Sequence, residues 1–136
     1  MYEIFPHTAD LGLRVKAATH ADVYTEAARG LMSMIVANLE SVRPVTTKTI
    51  EVVEDEADLM LFDWLNELLY LVHTERMLLS EFDVSVANGK LKAKCSGEPI
   101  DPERHQLDHD VKAITYHELK VRITNEGWLA EVIVDI

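Results

Sequence analysis

The spacing of apolar residues along the chain predicts six strands and two helices. Apolar and polar residues alternate over residues 12–17, which indicates a half-buried strand. Thr19 can cap a helix, and apolar residues behind it recur at helical spacing to about Asn38. The β-branched content of residues 46–53 predicts a second strand.

A second helix is predicted to begin at Asp55, its expected cap, and to run to about Thr74. Apolar residues at helical spacing form its buried stripe: Leu61, Phe62, Leu65, Leu68, Leu69 and Val72. Strands are predicted over residues 77–87 and 91–96. The Asn88-Gly89 pair between them indicates a tight hairpin, because such turns need positive φ and these residues adopt it at little cost.

The last third of the chain holds a predicted loop and two further strands. Two prolines and several charges over residues 97–110 indicate the loop. Residues 111–123 alternate over a long stretch and predict one continuous strand. A turn at Asn125-Glu126-Gly127 then leads into a last strand over residues 128–136.

This order of elements predicts an α+β fold in one domain spanning residues 1–136. Runs of strands joined by hairpins favour a mostly antiparallel sheet. Two amphipathic helices must bury their apolar stripes, and we expect them to pack on that sheet in two layers. A chain of 136 residues with 48% hydrophobic residues can build one such core.

The charge narrows the classes of partner. Lys and Arg total 13 against 24 Asp and Glu, which gives a net charge of -11. A surface this acidic repels phosphate backbones, so we expect no direct nucleic-acid binding, and it favours a basic partner or cations. The alternative is that the charge only keeps the protein in solution. The one cysteine excludes an internal disulfide, and we expect no signal peptide and no membrane span, hence a cytoplasmic location.

Three groups of residues could carry chemistry. Asp10 follows His7-Thr8-Ala9 just before the first predicted strand, where an acid more often caps a turn. Asp135 and the carboxylate of Ile136 lie one residue apart, and a hard cation would relieve their repulsion. The alternative for that pair is an exposed, frayed end.

The third group lies on the predicted long strand. Alternation puts Thr115 and His117 on its apolar face and Lys112 and Tyr116 on the other. A single histidine on an apolar face is more often a core residue than a catalyst.

Other signals are weaker. His105 and His109 are spaced to share a metal only on a helix, which their segment does not predict. Cys95 lies among lysines that could lower its pKa, although a structural thiol is the simpler interpretation. No nucleophile elbow, phosphate-binding glycine loop or calcium-binding helix–loop–helix motif is present.

Four segments, in this order and spacing, resemble the archease family. They are residues 7–12 (HTADLG), 61–71 (LFDWLNELLYL), 111–119 (VKAITYHEL) and 132–136 (VIVDI). The resemblance implies a protein that is not itself an enzyme. It implies an activator of the RtcB-type RNA ligase, one that promotes guanylylation of the ligase and its multiple turnover in joining tRNA halves.

The resemblance also implies a divalent cation, expected to be calcium, held by Asp10, Asp135 and Ile136. Residues expected to contact the ligase or to support those ligands are His7, Lys112, Tyr116 and His117. Two rival functions stay open. One is a small metal-dependent hydrolase that uses His117 or Lys112 in catalysis, and the other is a general acidic chaperone.

Overall fold

The computed structural model describes residues 1–136, which form two helices and eight strands. The helices are α1 (His20–Ile35) and α2 (Ala57–Glu75). The strands are β1 (Tyr2–His7), β2 (Asp10–Ala17), β3 (Thr46–Val53), β4 (Met77–Ala87), β5 (Lys90–Pro99), β6 (Ala113–Ile114), β7 (Lys120–Thr124) and β8 (Gly127–Asp135). The predicted α+β class, with two helices on antiparallel strands, is confirmed.

The strands form two antiparallel sheets rather than one. Five strands build the first sheet in the order β1-β2-β8-β6, with β7 also paired to β8. The second sheet has the order β3-β5-β4. Helix α1 packs against strands of both sheets and against α2, so all layers share one hydrophobic core.

A hydrogen-bonded aromatic pair joins the two helices at the centre of this core. The fully buried Trp64 donates its indole N–H to the backbone oxygen of Tyr24 at 2.8 Å. The Tyr24 hydroxyl donates in turn to the backbone oxygen of Ala57 at 3.1 Å. Burial raises the pKa of Tyr24, and both large side chains thus keep a polar partner inside the core.

Helix starts and the first hairpin follow local chemistry. Thr19 caps α1 as predicted, because its hydroxyl accepts from the backbone N–H of Asp22 at 3.1 Å. The prediction that Asp55 caps the second helix is wrong: Glu56 occupies the cap position and makes no side-chain cap bond. The Asn88-Gly89 hairpin is confirmed, and both residues have positive φ.

Two segments differ from their predicted form. Residues before Asp10 form an edge strand, β1, in which Pro6 is tolerated because only one side of the strand is paired. The predicted continuous strand over residues 111–123 is wrong. It is interrupted between β6 and β7 by a turn in which Leu119 N–H donates to the oxygen of Tyr116 at 3.2 Å.

Neither helix combines the length and the apolar content needed to cross a bilayer.

Candidate functional site

The ends of four strands bring the candidate residues to one edge of the five-stranded sheet. His7, the last residue of β1, pairs with Asp10, the first residue of β2. The register between β2 and β8 ends at Leu11↔Val134, so the next positions place Asp10 beside Asp135. Asp135 also pairs with Ala113 of β6. Directly opposed residues of antiparallel strands point to the same face, so His7, Asp10 and Asp135 share one face of the sheet.

That face is the outer one, because the flanking residues of β2 and β8 point inward. Leu13 and Val134 are buried in the core, and Val15 and Val132 lie beside them. The predicted adjacency of the first half-buried strand and the last strand is therefore confirmed. On the outer face, Phe5 of β1 lies over Gly12, where any side chain would collide with its ring.

Charge on the outer face is balanced at its centre but not at this edge. Arg14 forms ion pairs with Glu3 at 2.9 Å and Glu131 at 3.0 Å. Asp10 and Asp135 have no such partner, since no lysine, arginine or histidine lies within ion-pair distance of either carboxylate. Neither carboxylate accepts a hydrogen bond from the chain, so the alternative in which Asp10 caps turn amides has no bond to support it.

A second group of donors lies beside these acids. One ligand atom from each of His7, His117 and Glu118 lies within 4.8 Å of the other two. The imidazole rings of His7 and His117 are 5.2 Å apart, and His7 Nε2 is 3.6 Å from Glu118 Oε2. His7 Nδ1 is buried without a hydrogen-bond partner.

The turn between β6 and β7 carries His117 and Glu118 to this position. The Thr115 hydroxyl donates to the oxygen of Ile133 at 2.8 Å and accepts from the backbone N–H of His117 at 3.2 Å. Glu118 takes a positive φ of 55°. His117 is thus exposed on a turn, and the prediction that it faces the apolar side of a strand is wrong.

The other candidates surround the same edge. Lys112 donates its backbone N–H to the oxygen of Asp135 at 2.8 Å, and its side chain is exposed. Tyr116 is exposed but stacks on Phe62 of α2 with ring centres 4.0 Å apart. Ile136 packs its side chain against the core beside the end of β8. All of the sequence-predicted site residues therefore lie at or next to one edge of the sheet.

Two weaker candidates lie elsewhere. Cys95 is fully buried, and burial raises the pKa of its thiol to about 12, which favours the structural interpretation over a reactive thiolate. His105 is also buried: its Nδ1 accepts from the backbone N–H of Asp101 at 2.9 Å, and its Nε2 lies 3.1 Å from Glu98. Both of its nitrogens are occupied, so it does not share a metal with His109.

Sequence reasoning missed one member of this edge, Glu118. The only local signal is Thr115, two residues before His117, since a threonine hydroxyl readily caps a turn over that span. Nothing in the alternating pattern of residues 111–123 signals the positive φ that turns Glu118 toward His7.

The family model that matches this chain is the Archease protein family (MTH1598/TM1083), over residues 2–136. The chain belongs to the archease family. It is 36% identical to the archease of Thermococcus kodakarensis, covering 99% of this chain and 98% of that one. It is 37% identical to the archease of Methanopyrus kandleri, covering 99% of each.

Two solved structures share the archease fold. Protein 1598 of Methanobacterium thermoautotrophicum superposes with a TM-score of 0.87 at 28% identity, covering 99% of this chain and 98% of that chain. A protein of Thermotoga maritima, described as an archease and possible chaperone, has a TM-score of 0.69 at 18% identity, covering 100% and 98%. The second likeness concerns the fold alone.

Proposed function

We propose that this archease activates an RtcB-type RNA ligase, promoting guanylylation of the ligase and its multiple turnover in joining tRNA halves. Family membership over nearly the whole chain is the observation that carries the proposal. The net charge of -11 supports it, because an acidic protein is suited to a basic, RNA-binding enzyme. We place the protein as a helper of the enzyme in the cytoplasm and not as a catalyst.

A divalent cation, calcium by its ligand chemistry, is part of this proposal. Asp10 and Asp135 offer oxygen donors on one face, and neither is neutralised by a neighbouring side chain. Hard cations select such oxygen-only sets. Asp10, Asp135 and an oxygen of Ile136 would hold the ion, which would supply positive charge at the edge that meets the ligase. His7, Lys112, Tyr116 and His117 lie around these residues and are proposed to contact the ligase or orient the ligands.

The test measures ligase guanylylation and multiple-turnover joining with and without this protein. We expect the parent protein to accelerate both steps and to join nothing alone. Asp10→Asn and Asp135→Asn keep the size of each side chain but remove its charge, so we expect the fold to survive, calcium affinity by calorimetry to fall and activation to fail.

Asp83→Asn is the matched control, because Asp83 is an exposed acid on β4 of the other sheet. It should activate the ligase as well as the parent does. If both Asn variants at the edge also activate fully, the metal-site proposal is wrong. If the parent leaves the ligase unchanged, the activator proposal is wrong.

A chaperone function is the second candidate, supported by the description of the Thermotoga maritima protein as a possible chaperone. It predicts that the archease suppresses aggregation of unrelated unfolded proteins without any ligase. The hydrolase alternative predicts turnover by the isolated protein that depends on His117 or Lys112. Incubating the purified protein alone with aggregating proteins and with phosphoester substrates distinguishes both from an activator.

A further inference from the structure

We propose that His7, His117 and Glu118 form a second cation site, one that takes a first-row transition metal of the Zn²⁺ class. It is chemically distinct from the oxygen-only set of Asp10, Asp135 and Ile136. Two imidazoles and one carboxylate form a donor set suited to zinc and its neighbours rather than to calcium. The proposal is independent of the ligase.

Geometry is the first argument. One donor atom from each residue lies within 4.8 Å of the others, and His7 Nε2 is already 3.6 Å from Glu118 Oε2. Zinc bonds of about 2.1 Å in tetrahedral geometry separate two ligand atoms by roughly 3.4 Å. Small side-chain rotations would therefore bring the three donors onto one ion.

The availability of the donors is the second argument. No hydrogen bond from the chain engages the side-chain donors of His7, His117 or Glu118. His7 Nδ1 is buried with no partner, although a buried polar atom without a partner costs about 1–3 kcal/mol. The His7 ring is thus not committed to a structural role, unlike the ring of His105, whose two nitrogens are both engaged.

The rigid support behind the donors is the third argument. His7 ends a strand whose register is fixed by pairing with β2. The turn that carries His117 and Glu118 is held by the Thr115 hydroxyl and by the stacking of Tyr116 on Phe62. Donors on well-supported segments lose little conformational freedom when a metal binds. Three protein ligands leave at least one coordination position open, so the site could accept a group from a partner.

The experiment titrates the untagged full chain with Zn²⁺ by calorimetry and with Co²⁺ by visible absorption, which reports nitrogen ligation directly. We expect one Zn²⁺ per chain and a Co²⁺ spectrum that a large excess of Ca²⁺ does not remove. His117→Gln should lower Zn²⁺ affinity by at least about tenfold. His117 is exposed, so this variant should fold normally, as circular dichroism will verify.

Two controls locate the ion. His109→Gln replaces an exposed histidine outside the site and should leave Zn²⁺ affinity unchanged. Asp10→Asn should abolish calcium binding but keep Zn²⁺ affinity within about threefold, because Asp10 is a neighbour and not a ligand. The proposal is overturned if the parent binds no Zn²⁺, if His117→Gln binds it as the parent does, or if Asp10→Asn abolishes Zn²⁺ binding. A ligase assay plays no part in this test, so its outcome is separable from that of the proposed activator function.

Discussion

Glu98 is a buried carboxylate held by three donors. Its Oε2 accepts from the backbone N–H of Arg43 at 2.6 Å and lies 3.1 Å from His105 Nε2, while Arg104 pairs with Oε1. His105 Nδ1 accepts a hydrogen bond from Asp101, so Nε2 carries the proton and donates to Glu98. These bonds fasten the segment after β5 to the sheet.

Replacing Glu98 should therefore lower stability in a pH-dependent way. The hydrogen bond from Arg104, assisted by the Arg43 amide, lowers the pKa of Glu98 to about 2. Since the unfolded value is higher, about 4.3, the carboxylate stabilises the fold above that pH and loses its contribution as the pH falls toward 2. We expect Glu98→Gln to reduce the free energy of unfolding at neutral pH by about 1–3 kcal/mol, and the difference from the parent to shrink on acidification.

Urea unfolding of both proteins at several pH values between 7 and about 2 measures this difference. Glu103→Gln is the control, because Glu103 is exposed in the same segment and its side chain makes no bond. A Glu98→Gln protein as stable as the parent at neutral pH would contradict the stabilising role.

The predictability of single residues depended on strand pairing. Asp10 and Asp135 could be predicted as neighbours because the first and last apolar strands had to share a sheet. The partnership of Glu118 with His7 could not, because it depends on one backbone angle in a turn that no hydrophobic pattern encodes.

Among the elements, the β1–β2 hairpin has the least favourable backbone. Thr8 lies in its turn with a φ of 52°, a region that a β-branched residue rarely adopts. We expect Thr8→Asn to stabilise the protein by about 0.5–1 kcal/mol, because asparagine tolerates this conformation better. Thermal unfolding measures the effect. Ala9→Asn, the next position, has no positive φ and should give no gain; equal gains at both positions would exclude the backbone explanation.

The broken strand shows where periodicity fails at the scale of an element. Residues 111–123 alternate throughout, yet only β6 and β7 pair with β8. Thr115 uses its hydroxyl to bond Ile133 and His117, and the chain turns there instead of continuing the ladder. Alternation records which side chains alternate in polarity, but it does not record such local competition for hydrogen bonds. The helices and the Asn88-Gly89 hairpin, which depend on local chemistry alone, could be predicted.

For the whole molecule, the acid excess should govern what it meets. With 24 acidic against 13 basic residues, counterion release cannot drive binding to a phosphate backbone. We expect no useful affinity of the isolated protein for a tRNA half at physiological salt, measured by fluorescence anisotropy. The ligase alone serves as the positive control. Tight, salt-sensitive binding by the isolated protein would contradict this expectation.

The edge strand β1 has a consequence for life at high protein concentration. Strand edges are templates on which chains of other molecules can add and grow into fibrils. Pro6 lies within β1 and offers no N–H, and the neighbouring Glu3 adds charge to the same strand. An incoming strand would therefore meet an interrupted row of donors, and Pro6 protects this sheet from ordered polymerisation.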